Sequence, residues 1–186
     1  MEADWEVEIG SGAPVIDGAW EGWLDLRADP NLVAEIEEAA QFPSLGESLA
    51  LLNAPSSPVW TSKCDVWSVE DFDPDELDAD RKAAVLALGC YIDLLSTDAA
   101  VFSTVDACAR WSQRLCLYLR SEPLRQCRVD VIVRRAFRTS ESAGLGVTTY
   151  ITACGADRPE ATDSLRRALA VLTGLVLASK ASSQAT

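Results

Sequence analysis

The chain has 186 residues, 48% of them hydrophobic and 24% charged, enough for one domain with a core of its own. Its formal net charge of −13 disfavours binding to a phosphate backbone and makes a basic protein the natural partner. It contains no histidine, which removes Ser-His-Asp and Cys-His nucleophile activation, imidazole zinc ligation and histidine general-base chemistry.

The charge is unevenly placed. Residues 1–100 carry 22 acidic and 4 basic side chains, a net −18, whereas residues 101–186 carry 7 acidic and 12 basic, a net +5. The first ten residues lack the basic and apolar regions of a signal peptide. The longest uncharged apolar run near the C-terminus, Ala168 to Ala178, is well short of the roughly 20 residues that span a bilayer, so no membrane association is expected. The six cysteines (Cys64, Cys90, Cys108, Cys116, Cys127 and Cys154) form no CxxC pair, and most lie in apolar periodic segments. They read as reduced structural thiols, which points to a cytoplasmic, reducing compartment and away from zinc.

In chain order, Trp5, Val7 and Ile9 alternate with Glu6 and Glu8 as in a half-buried strand, and SGAP reads as a turn. A second strand is predicted from Val15 to Leu26, weakened by Gly18 and Gly22, so that the two segments form a hairpin. Asp29-Pro30 starts a helix running to about Ala40, and a short helix follows from Ser44 to Leu52. Val59 to Val69 reads as a strand. Asp73-Pro74-Asp75-Glu76 has the pattern of a capped helix start, and the segment through Leu95 is apolar nearly all round, as in a central helix. Ser103 and Asp106 open a further helix that ends before Pro123. Cys127 to Arg134 and Leu145 to Cys154 form a second hairpin around the loop TSESAG, and Asp157-Arg158-Pro159-Glu160 opens the last helix.

The predicted order is ββ-αα-β-αα-ββ-α. It describes an α+β fold in which an antiparallel sheet, about five strands in two hairpins plus one, packs against about five helices. Residues 1–180 read as a single domain and 181–186 as a disordered tail.

No Walker lysine motif or GxGxxG occurs, and Gly144-Leu145-Gly146 precedes a strand as a hairpin turn would. Asp71, Asp73 and Asp75 imitate the first ligands of a calcium loop, but Glu76 stands at the glycine position and Lys82 at the closing glutamate, so the run reads as a solvated helix start. No catalytic residue, cofactor or metal is assigned. Five of the six tryptophans lie in the acidic half. On a regular strand Trp20 and Trp23 face opposite ways, and Trp23, flanked by Glu21 and Asp25, is the candidate exposed anchor of a partner-binding surface. Arg128, Arg134 and Arg138, with Arg125 and Arg135 near, are candidates for binding an anionic group. The expected function is a non-enzymatic protein-binding module (an adaptor, chaperone or immunity-type inhibitor) that engages a basic partner through Trp20, Glu21, Trp23 and Asp25. The alternatives are a carboxylate-dependent, magnesium-assisted hydrolase, and a structural subunit of an obligate homo- or hetero-complex.

Overall fold

The computed structural model describes residues 1–18, 20–98, 100–139 and 142–179, the side chains of residues 138, 139 and 142 excepted. The strands are β1 (Glu2–Glu8), β2 (Ile16–Asp17), β3 (Val59–Val69), β4 (Leu86–Ser96), β5 (Cys127–Thr139) and β6 (Ser142–Gly155). The α-helices are α1 (Glu37–Gln41), α2 (Pro43–Leu52), α3 (Val105–Ser121) and α4 (Arg158–Ala178), with 3-10 segments at Pro30–Glu35 and Pro74–Leu77. The tail 181–186, and Ser140 and Glu141 of the TSESAG loop, lie outside the described residues.

The six strands form one sheet in the order β1-β5-β6-β4-β3, with β2 also against β5. The sheet is mixed, which corrects the all-antiparallel expectation. β3, β4, β6 and β5 pair antiparallel in succession, whereas β1 and β2 both run parallel to β5. β1 pairs with Arg128–Ile132 and on to Arg134, and β2 takes up the same edge at Ala136 and Phe137. The expected N-terminal hairpin is therefore one interrupted edge strand. The turn between its halves, closed by Ala13 N–H to Gly10 O, does not reverse the chain. The strand predicted to Leu26 stops at Asp17, and Gly22 has φ +89°, a left-handed turn that glycine adopts without strain.

The second correction concerns the predicted central helix. Asp73 does cap, accepting from Asp75 N, and Pro74 does start a helical turn, but that turn is 3-10 and ends at Asp78 in the left-handed region. Leu86–Ser96 is instead the strand between β3 and β6. A strand inside a sheet, covered by helices on one face and hemmed in by its neighbours' side chains on the other, presents a nearly unbroken apolar run, just as a buried helix does.

Helices α2, α3 and α4 cover one face of the sheet. Cys90, Ile92, Val129, Val131, Ile151 and Leu169, all at most 1% exposed, meet there with Leu45, Leu49 and Leu119. Among the described residues the opposite face has no helical layer across its middle. Its ends are covered by short segments. Ile16 and Trp60 pack on Leu95 and Ala136 at one end, and Leu77 and Ala84 pack on Ala87 and Cys154 at the other.

Candidate functional site

Period-two alternation sends Asp65 and Trp67 of β3, Gly89, Tyr91 and Asp93 of β4, Thr148, Tyr150 and Thr152 of β6, Arg128, Asp130, Ile132 and Arg134 of β5, and Asp4, Glu6 and Glu8 of β1 to the uncovered face. The register aligns one transverse row, Asp65–Tyr91–Tyr150–Asp130–Asp4, across all five strands. Two tyrosines occupy its centre and carboxylates its ends.

Trp67 joins the tyrosines. Its ring centroid lies 6.2 Å from that of Tyr91 and 6.5 Å from that of Tyr150, and the two tyrosines are 5.8 Å apart, all tilted or edge-on. Such geometries add about 0.5–1.5 kcal/mol per pair beyond buried area. Gly89, opposite Trp67 on β4, makes this possible: a Cβ there would sit 2.5 Å from the indole Cε2. Trp67 remains 37% exposed.

Beside the aromatics runs a polar chain. Asp93, 6% exposed, accepts from Thr148 Oγ1 at 2.5 Å. Arg134 donates to Thr148 at 3.3 Å, to the Tyr150 hydroxyl at 3.2 Å and to Glu8 at 2.8 Å, and its guanidinium stands 5.5 Å from the Tyr150 ring centroid. Burial raises the pKa of Asp93 above the ordinary carboxylate value, against the pull of Thr148, Arg134 and Lys63. Burial, with the Asp93 and Asp65 charges behind it, pushes Tyr91 up to about 12, and burial together with Glu38, Asp65 and Asp93 pushes Cys64 to about 12. Asp65 and Asp93 thus stand near both Tyr91 and Cys64.

Two cavities flank the aromatic group. One, of about 500 Å³, lies over β1, β5 and β6 against the 69–77 segment, with Tyr150, Phe72, Glu6, Asp71 and Arg128 in its walls. The other, about 480 Å³, opens at the β3 edge, with Tyr91, Trp20, Asp65, Glu35 and Glu38 in its walls. Carboxylates predominate in both. The first adds Asp4, Asp73, Glu76 and Asp130 against Arg128, and the second sets Lys63 against Glu37 and its other acids.

No family model, curated protein or solved structure gives a significant match to this chain.

The residues singled out from the sequence are distributed as follows. Trp23 is half-buried, not on a strand. Its ring packs 5.6 Å from Trp60 and 5.7 Å from the Arg27 guanidinium, and its Nε1 donates to Thr61 O at 3.4 Å. Asp25 pairs with Arg27 at 3.0 Å in the turn 25–28, and Glu21 is exposed in the preceding turn, 20–23. Trp20 lines the β3-edge cavity under Lys63, and its Nε1 is buried with no hydrogen-bond partner among the described residues. Arg128 and Arg134 share the uncovered face and both meet carboxylates, Asp130 at 2.8 Å and Glu8 at 2.8 Å. Arg125 reaches Asp78 and Arg135 is exposed, while the Arg138 side chain lies outside the described residues. Asp73 and Asp75 both turn to Arg81, and among the described residues no group of three His, Cys, Asp or Glu is placed to hold a metal ion. Among the described residues no helix is long and apolar enough to cross a membrane.

Sequence reasoning missed Trp67, Tyr91, Tyr150 and Asp93. Reading residues 83–95 as a helix hid the alternation that carries Tyr91 and Asp93 to the same face as Tyr150.

Proposed function

We propose that the chain is a non-enzymatic protein-binding module, of adaptor, chaperone or inhibitor type, that engages a basic partner through an acidic, tryptophan-bearing surface on the uncovered sheet face. The observation that supports it is the row Asp65–Tyr91–Tyr150–Asp130–Asp4 with Trp67 beside it. Exposed aromatic rings supply the contact area that dominates binding energy, and surrounding charge sets encounter rate and partner sign. Glu6 and Asp71 are exposed and carry no ion pair among the described residues, so their charge is free to act on a partner. Trp20, in the wall of the β3-edge cavity, forms the far rim of the same surface.

A second reading, a carboxylate-dependent hydrolase, draws on one observation: the raised pKa of Asp93, the behaviour of a general acid or base. Its burial and its hydrogen bond to Thr148 favour a structural role instead.

The test is capture on the immobilised full-length chain, wild type beside Trp67→Ala and Glu6→Lys/Asp71→Lys. The reading predicts a basic protein that binds wild type, is released as salt shortens the Debye length from about 10 Å at 0.1 M toward 3 Å at 1 M, and is lost from both variants. Retention of the same proteins by all three baits contradicts it.

A further inference from the structure

We propose that the uncovered face takes an extended basic segment of its partner, lying across the strands, with two cationic side chains four residues apart and an apolar side chain midway between them. This rests on the protein-binding reading above and adds the form of the ligand.

The geometry comes from the sheet. The two acidic cavities are not neighbours: Tyr150 walls one and Tyr91 walls the other, so the aromatic group stands between them. The first is floored by β5, with Asp130 and Ile132, and the second is entered at β3, with Asp65. In the order β5-β6-β4-β3 these strands are three steps apart. At about 4.8 Å per step Asp130, in the wall of the first, and Asp65, in the wall of the second, are about 14 Å apart across the sheet, and an extended chain rising about 3.3 Å per residue covers that in about four residues. Because side chains alternate, residues i, i+2 and i+4 of such a segment all point at the sheet. The outer two reach the acidic cavities, and the middle one rests on Trp67, Tyr91 and Tyr150.

Charge complementarity fixes the class of occupant. Carboxylates outnumber cations in the walls of both cavities, and an arginine or lysine entering either also meets an aromatic edge or face, Tyr150 or Tyr91. Cation–π attraction and carboxylate pairing then act on the same group. Occupying both at once on one backbone gives a gain in avidity that depends on spacing, which a single cation or a mismatched pair lacks.

The experiment uses the full chain and synthetic peptides of one composition, followed by anisotropy. The probe carries arginine, alanine, leucine, alanine, arginine in an otherwise neutral sequence. Two isomers place the arginines side by side or about twice as far apart, and spermine serves as a non-peptide polycation. The expected result is that the four-residue spacing binds roughly tenfold more tightly than either isomer or spermine, and that Asp65→Asn and Glu6→Gln each remove most of that advantage while the protein stays folded. Equal binding of all three peptides overturns the spacing, and equal binding of spermine overturns a peptide as the occupant. If all peptides bind alike and Trp67→Ala weakens them all, the protein-binding reading survives without the extended segment. If no basic peptide binds, both fail.

Discussion

Replacing Arg134 with methionine probes the polar chain that holds the uncovered face in shape. The guanidinium is 10% exposed at the side chain and joins Glu8, Thr148 and Tyr150, with Asp93 next in line through Thr148. Removing one partner of a fully buried ion pair costs about 3–5 kcal/mol. Glu8 is 41% exposed, so water takes over much of the role of Arg134 there, and the expected loss is about 2 kcal/mol at neutral pH. The loss should depend on pH through Asp93. Its folded pKa is raised, so its contribution to stability is complete below the unfolded value of about 3.9 and is lost as pH rises through the folded value. Arg134 lowers that folded value, so its removal raises it further and makes ionised Asp93 more costly at pH 7. Protonation of Asp93 as the pH falls toward 4 relieves that cost. Urea unfolding of wild type and Arg134→Met at the two pH values is the assay. A penalty under about 0.5 kcal/mol at pH 7, or one larger at pH 4, would refute the reasoning.

Three further outcomes are expected. Asn53→Ala should cost about 2–3 kcal/mol in the same assay, because buried Asn53 bonds Leu49 O, Thr61 Oγ1 and Thr61 N and ties the end of α2 to β3. Asp157→Ala should cost about 1 kcal/mol, since Asp157 caps α4 by accepting from Glu160 N at 2.9 Å. Native thiol labelling should modify Cys64, the one half-buried cysteine, ahead of the five buried ones, and all six only after unfolding. Rapid native labelling of Cys90, 0% exposed, would contradict the packing of β4 against the helices.

Local signals were legible where one residue type had one job. Val129, Val131 and Val133 alternate with Arg128, Asp130, Ile132 and Arg134 and form β5, Asp157 with Pro159 starts α4, and β3 runs from Val59 to Val69 as its composition suggests. Long-range choices were not legible. Nothing in residues 2–8 distinguishes a hairpin partner next in sequence from a parallel partner at Arg128–Arg134, since alternation describes a strand's faces and not its neighbour. The segment Leu86–Ser96 has few β-branched residues and an apolar side at every angle, so period alone could not separate strand from helix. The candidate site followed from that one ambiguity, because Tyr91 joins Tyr150 and Trp67 only when β4 is a strand.

The most direct test of the central claim is the kinetics of the full chain with the basic partner it captures, measured across a range of salt. Charge at the rim and the aromatic anchor should separate. Glu6→Lys/Asp71→Lys should slow association and flatten its salt dependence, with dissociation little changed. Trp67→Ala should leave association nearly unchanged and speed dissociation, costing about 2 kcal/mol or more, as removal of a hot-spot aromatic does. If both variants bind and dissociate like wild type, the uncovered face is not where the partner docks.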